Sequence, residues 1–303
     1  MWEDRNTLRK PRTLNRKFMD NLQGYGFIAI PVLIIALFGL YPAINVFVMS
    51  FQKFNMLAGS DNAAFTGISN YLNLIKDETF WHTFKNSFTF TIFVVPIQSF
   101  IALCFAVLIN QKLKGVEFFR TIFFFPVVMS FVVVSIFWKM IYEPNYGLAN
   151  TILSFFGIPQ QQFLIDPKQA MACVIIMCIW KSWGWYMVIF LSGLQEIPKD
   201  LYESSYIDGA SVLRRFLSIT LPLLKRTTFF VLIMTTIDSF KVFTPVYIMT
   251  GGGPLGTTDT LVHYIWKTAF RMNDMGNAAA MSICLFIIVF AITIIQMKAS
   301  KAE

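Results

Sequence analysis

The stretch YESSYIDGASVLRRFLSITLP, Tyr202 to Pro222, separates two long apolar runs. It is too charged and too rich in hydroxyls to cross a bilayer, and its residues pattern as two short helices. Pro198 suits a helix start, and Asp200 and Glu203 suit the first turns, where the helix dipole is positive. Leu201, Tyr202, Ser205 and Tyr206 share a face at i, i+4 spacing. Gly209 permits the left-handed turn that ends this helix. Ala210 to Leu217 can form a second short helix, and Pro222 limits where the next apolar helix begins. A short, stiff, partly apolar element suits docking into the groove of another protein.

The runs on either side identify a membrane protein. Of 303 residues, 56% are hydrophobic and 14% charged, where a soluble domain carries about 25% charged residues. A membrane helix needs roughly 20 mostly apolar residues. Six stretches qualify: 27–50, 86–110, 118–142, 170–194, 223–249 and 277–297. Alternating β-barrel segments are absent from the sequence, so the expected fold class is all-α, a polytopic bundle of six transmembrane helices. The first stretch is too long for a signal-peptide core and reads as a retained span. Pro31, Pro42, Pro96, Pro126 and Pro245 fall within these stretches, and each kinks its helix unless neighbours compensate. Cys104, Cys173, Cys178 and Cys284 lie within spans without a CxxC pair, which points to packing residues and to neither a disulfide framework nor a metal site.

The net charge of +8 is explained by topology. If the N-terminus is cytoplasmic, the basic arm before the first span, the 111–117 connection, the 195–222 segment with its flank, and the tail all fall inside. They hold most of the Lys and Arg residues, including Arg5, Arg9, Lys10, Arg12, Lys112, Lys114, Arg214 and Arg215. The outer connections hold only Lys53, Lys76, Lys85, Lys168, Lys267 and Arg271. This bias favours both termini inside for a multi-pass membrane protein. It makes a nucleic-acid partner unnecessary. The expected organisation is a basic cytoplasmic arm over 1–26, a six-span domain over 27–298 with the loop 195–222, and a tail over 299–303.

With that layout, 195–222 is the largest cytoplasmic loop, and its residues resemble the EAA loop of permease subunits of bacterial ABC importers. Glu203, Asp208, Gly209, Ala210, Phe216, Ile219, Leu221 and Pro222 fall at the family's spacing. Ser204 and Ser205 replace its two alanines, and Arg226 stands where a further proline is frequent. IFLSGLQEIPKDLYE, before the motif, and YIMTGGGPLGTTDTL, from Tyr247, resemble the corresponding segments of carbohydrate-type permeases, including the maltose-type importers. The resemblance implies a type I importer fold in which the loop is a coupling helix seated in a cleft of an ATPase. Its contact residues would be Glu203, Ser204, Ser205, Asp208, Gly209, Ala210 and Phe216. It also implies a second permease subunit, usually a different chain, two copies of a cytoplasmic ABC ATPase, and an extracellular solute-binding protein. The chain itself would then be a non-catalytic transport subunit without a cofactor, with ATP and Mg handled by the ATPase.

The Gly-rich run TGGGPLGTT tests whether the chain could hold nucleotide itself. A phosphate-binding loop reads G-x-x-x-x-G-K-[ST]. Gly251 and Gly256 have the first spacing, but Thr257 stands where Lys is required, and Pro254 removes a backbone donor. The run reads instead as a tight outer turn near the pore mouth, where a solute-binding protein could rest. His82 and His263 are the two histidines, and no HExxH occurs, which leaves an intramembrane enzyme as a distant alternative.

Ionisable residues at bilayer depth are costly and usually face a cavity or a partner. Lys181 lies mid-way along the fourth span, within WKSWGWY, and Asp238 and Lys241 lie in the fifth. Lys139, near the end of the third, reads as snorkelling. Sugars present flat C–H faces to aromatic rings and hydroxyls to polar neighbours. Trp180, Lys181, Trp183, Tyr186, Asp238, Ser239 and Lys241 are therefore the candidate substrate path for a carbohydrate, which the resemblance narrows to an oligosaccharide. Trp183 and Tyr186 can share one helix face, and Asp238 and Lys241 can neutralise each other. Two other readings stand beside it: an aromatic interface belt displaced inward and a purely structural Asp238–Lys241 pair. An anionic substrate, such as a glycerol phosphate or a uronate oligomer, is the alternative that Lys181 and Lys241 favour.

Overall fold

Apolar runs of this length satisfy their backbone internally as helices, and the polar, Gly- and Pro-marked stretches between them form short ones. The structure, a computed structural model, describes residues 14–58, 63–111 and 115–301. Arg5, Arg9, Lys10, Arg12, Lys112, Lys114 and the tail residues 302–303 lie outside the described residues. The chain begins with α1 (Leu14–Ile35), a π turn and α2 (Tyr41–Met49). The hairpin β1 (Gln52–Lys53) and β2 (Ala64–Phe65) follows, pairing Gln52 with Phe65 and Lys53 with Ala64. Then come α3 (Ser69–Lys76), α4 (Glu78–Ile109), α5 (Val116–Val128), α6 (Phe131–Ile141), α7 (Leu148–Phe155) and α8 (Ala170–Gln195). The segment after α8 holds α9 (Lys199–Ile207), α10 (Val212–Arg215), a π turn and α11 (Leu221–Leu223). The chain continues through α12 (Lys225–Phe240), α13 (Thr244–Met249), α14 (Leu261–Phe270) and α15 (Met275–Lys301).

Five helical runs among the described residues are long and apolar enough to span a membrane: Gly24–Met49, Glu78–Ile109, Ala170–Gln195, Lys225–Met249 and Met275–Ser300. The sixth expected span, 118–142, is not one helix. α5 and α6 meet at 97°, and counted together as one broken span they make the sixth. The residues explain the break. Pro126 sits near the end of α5, Met129 is extended (ψ 145°), and Ser130 accepts from Val132 N at 3.3 Å as the N-cap of α6. A Ser cap starts a new helix by satisfying one of its orphan donors.

α8 is the centre of the bundle. It is apolar on every side, the pattern of a helix buried all round, and it packs against α4, α5 and α12. Gly184 lets α5 approach: a Cβ there would collide with the Phe123 carbonyl oxygen. The buried rings and chains Phe90, Met177, Met187, Phe190 and Val231 fill the interior. By contrast, the Gly24–Met49 run has no fully buried residue, although α2 packs on α15.

Prolines shape the ends. Pro42 and Pro222 each follow a π turn, Ala36–Leu40 and Phe216–Thr220. The wider i−5 bonds, Tyr41 N to Ala36 O and Leu221 N to Phe216 O, accommodate a ring that would clash with the i−4 carbonyl of a regular helix. Pro96 stays inside a continuous α4. The arm expected over 1–26 is helical from residue 14 and runs without a break into the first span.

Candidate functional site

Two helix breaks meet beside α8. α12 ends at Phe240, and α13 starts at Thr244, after three intervening residues, with Pro245 in its first turn, where proline's missing donor costs nothing. The orphan Val242 carbonyl accepts from Thr260 Oγ1 at 3.1 Å. The α5–α6 break lies across from it. Irregular backbone at membrane depth is tolerated where it lines a cavity or is buried in protein. A cavity of about 410 Å³ opens between these breaks and α4, within the size range of small-molecule sites. Its rings are Phe90, Phe131, Trp185, Tyr186 and Phe243, and its polar groups include Gln98, Lys181, Ser182, Thr235, Asp238 and Lys241.

The seven residues expected on a substrate path do not all reach this cavity. Lys181, Tyr186, Asp238, Ser239 and Lys241 line it. Trp183 does not: it is buried between Phe105 and Phe123, with ring centroids 4.6 and 5.3 Å away. Trp180 packs on Trp138 at 5.5 Å, also off the cavity. The helix turn places Trp185, which only the quoted run flagged, on the wall instead. Gln98 is a further wall residue missed from the sequence, although a Gln within an apolar run was itself a visible signal. It is 3% exposed.

Two of the charges inside, Lys181 and Asp238, are committed in ways that spacing alone did not reveal. Among the described residues no ion pair joins Asp238 to Lys241, so the expected neutralising pair is not formed. Tyr186 Oη donates to Asp238 Oδ2 at 2.7 Å and ties α8 to α12. Lys181 Nζ donates to the Val127 carbonyl at 2.9 Å and lies 4.4 Å from the centroid of Phe131. It caps the C-terminal end of α5, where the helix dipole is negative, and contacts the first residue of α6. Ser239 Oγ lies 3.0 Å from Thr91 Oγ1, joining α12 to α4. Lys139 Nζ reaches the Ile248 carbonyl at 3.5 Å, which holds α6 to α13.

The segment between α8 and α12 has the helix, glycine turn, helix form expected of it. Pro198 is the N-cap of α9, and Gly209 ends it at φ +72°. The second helix starts later than Ala210. Ser211 caps it, accepting from Arg214 N at 3.3 Å. Tyr202 Oη meets Thr220 Oγ1 at 2.9 Å and clips the two halves together. Glu203, Ser204 and Asp208 are exposed, Ser205 and Ala210 half-buried, and Phe216 half-buried. Ile207, Val212 and Leu213 form an exposed apolar tip, 85%, 74% and 67% accessible.

The run 250–260 is a built turn. Gly251, Gly252 and Gly256 all have positive φ, and Thr250 Oγ1 meets Thr258 Oγ1 at 2.7 Å. His263 Nδ1 lies 2.6 Å from Asp259 Oδ1. All four cysteines are free.

Residues 87–299 match the family described as binding-protein-dependent transport system inner membrane component. The chain belongs to this family. It is a permease subunit of an importer, with the six-span layout of the type I fold. A trehalose/maltose transport system permease protein of Thermococcus litoralis is 33% identical over 95% of this chain and 97% of its own length. An sn-glycerol-3-phosphate transport system permease protein of Agrobacterium fabrum is 31% identical over 93% of this chain and 95% of its own. Among solved structures, a chain of a bacterial ABC transporter that imports the acidic polysaccharide alginate superposes with TM-score 0.84, at 22% identity, over 95% of this chain and 98% of its own.

Proposed function

We propose that this permease subunit forms half of a translocation path for a carbohydrate, and that an oligosaccharide fits it best. The observation that carries the reading is the cavity wall. Five aromatic rings alternate there with Gln98, Ser182, Thr235 and Asp238, a mixture suited to a molecule with apolar C–H faces and a rim of hydroxyls. The trehalose/maltose relative supports it. A second reading, an anionic substrate, draws on Lys241, which lines the same cavity, is exposed, and has no ion-pair partner among the described residues. The glycerol-phosphate relative and the alginate importer support that one.

The segment 195–222 docks a cytoplasmic ABC ATPase through Glu203, Ser204, Ser205, Asp208, Gly209, Ala210 and Phe216. The exposed tip at Ile207, Val212 and Leu213 would be buried in the ATPase cleft. Two ATPase copies use ATP and Mg. A second permease subunit completes the path, and a solute-binding protein delivers substrate at the opposite end of the bundle. Both termini lie in the cytoplasm, with the basic arm over 1–26 preceding the six-span domain. Uptake by the complete assembly of labelled neutral sugars, uronate oligomers and glycerol phosphates tests the substrate. Uptake of a sugar in preference to the phosphates is expected. Transport of glycerol phosphate alone would replace the first reading by the second.

A further inference from the structure

A line of aromatic rings leads out of the cavity and ends on exposed surface. Phe243 lines the cavity. It stacks on Tyr247 at 5.4 Å with planes 17° apart, and lies 5.7 Å from Trp266. Tyr247 and Trp266 are edge to face at 4.8 Å, and Trp266 lies 6.3 Å from Phe270. The Arg271 guanidinium lies 5.3 Å over the Trp266 ring. Trp183, by contrast, is closed over by its neighbours. Here Tyr247 is 40% and Phe270 56% exposed, at the two sides of a half-buried Trp266.

The frame under these rings is rigid. Asn86 Nδ2 donates to the carbonyls of Gly256 and Asp259, both at 2.9 Å. Leu261 N donates to Ser87 Oγ at 2.8 Å, and Tyr264 Oη to Asp77 Oδ2 at 2.8 Å. These bonds fix α14, which carries Trp266 and Phe270, to α4 and to its N-cap Asp77. An arginine stacked on an indole keeps its N–H edge free for hydroxyls or a carboxylate.

We propose that Tyr247, Trp266, Phe270 and Arg271 form a second sugar-binding surface, continuous with the cavity through Phe243, that carries the units of an oligosaccharide lying beyond the cavity itself. The proposal rests on the carbohydrate reading above. It makes the subunit selective for chain length, because a disaccharide held in the cavity leaves the ladder empty and a longer chain stacks on it.

The test is uptake by the complete assembly in proteoliposomes. The probes are malto-oligosaccharides and oligogalacturonates, each from disaccharide to hexasaccharide. Trp266→Ala and Phe270→Ala are expected to lower the ratio of uptake efficiencies (Vmax/KM), hexasaccharide over disaccharide, by about tenfold, the scale of one lost stacking contact. Trp266→Phe, which keeps a ring, restores the ratio. Arg271→Ala lowers it more for the acidic series than for the neutral one. Phe270 is exposed, so its variant reports on the ladder even where Trp266→Ala lowers the amount of folded protein. An equal loss at every chain length overturns the proposal and assigns the rings to packing or to a neighbouring subunit. An unchanged ratio in Phe270→Ala and Trp266→Ala also overturns it. Absence of wild-type uptake for both series removes the carbohydrate reading first, and the ladder with it.

Discussion

Lys181 illustrates how a single residue changes meaning between sequence and fold. Mid-span, it reads as a cation waiting for an anion. In the structure it caps α5 at Val127 and contacts Phe131 of α6, so it holds the two halves of the broken span in register. Lys181→Met is therefore expected to leave the Val127 carbonyl without its partner, at a cost of about 1–3 kcal/mol, and to lower the melting temperature of the solubilised subunit. Lys181→Arg should recover most of the loss. A Met variant of full stability with only an altered substrate preference would contradict the capping role. The Asp238 contacts lead to a second expectation. Tyr186→Phe and Asp238→Asn remove parts of one bond and should be strongly non-additive in stability, whereas Asp238→Asn and Lys241→Met, which share no contact, should be close to additive. A measured cycle with the opposite ranking would restore the ion pair that the geometry excludes. Trp183→Ala, by the same reasoning, removes a core ring, and any loss of uptake should follow membrane abundance.

At the scale of elements, the segment 195–222 is stiff because each joint is tied. α9 stops at Gly209, α10 starts on the Ser211 cap, and Tyr202 is bonded across to Thr220. Nothing crowds a Cβ at Gly209, so the glycine is required by its backbone angle alone. For a residue with a Cβ the left-handed region costs about 1–2 kcal/mol, and a β-branched one is strained further. Gly209→Val should therefore insert normally in the membrane but displace α10 and reduce co-purification of the ATPase. Gly209→Asn, which tolerates this region better, should retain more of it. Equal co-purification of wild type and Gly209→Val would remove the turn from the coupling argument. The helix breaks follow a similar logic. Each leaves an orphan carbonyl, and each carbonyl is met by a side chain from elsewhere, Lys181 for Val127 and Thr260 for Val242.

For the molecule as a whole, the arrangement makes one topological demand. With six crossings, α9 and the 250–260 turn stand at opposite faces of the membrane. Ile207 and Leu255 are the most accessible reporters, 85% and 88% exposed. Ser205 is half-buried and donates to the Tyr202 carbonyl at 2.8 Å, so it reports less well. In a subunit lacking the four native cysteines and expressed without the ATPase, Leu255→Cys should react with an impermeant maleimide in intact cells, and Ile207→Cys only in inverted vesicles. Reaction of both from the same side would end the six-span layout.

The apolar lengths of the spans, the helix–glycine–helix form of 195–222 and the lack of a phosphate loop were all legible in the residues. They depend on local physics: how many apolar residues cross a bilayer, which backbone angles glycine allows, and which donors proline removes. That Asp238 and Lys241 line a cavity was legible for a related reason, since charge at bilayer depth has to face something. The tertiary structure alone decided which face of α8 meets the cavity. A helix apolar on every side carries no periodic mark of its inner face, so Trp183 and Trp185 look alike until Phe105 and Phe123 close over one of them. It also decided that 118–142 breaks in two. Pro126 and Ser130 permit that break, but it persists because Lys181, some fifty residues later in the chain, satisfies the carbonyl it exposes. Partners separated that far in sequence are chosen by packing, which no local pattern records.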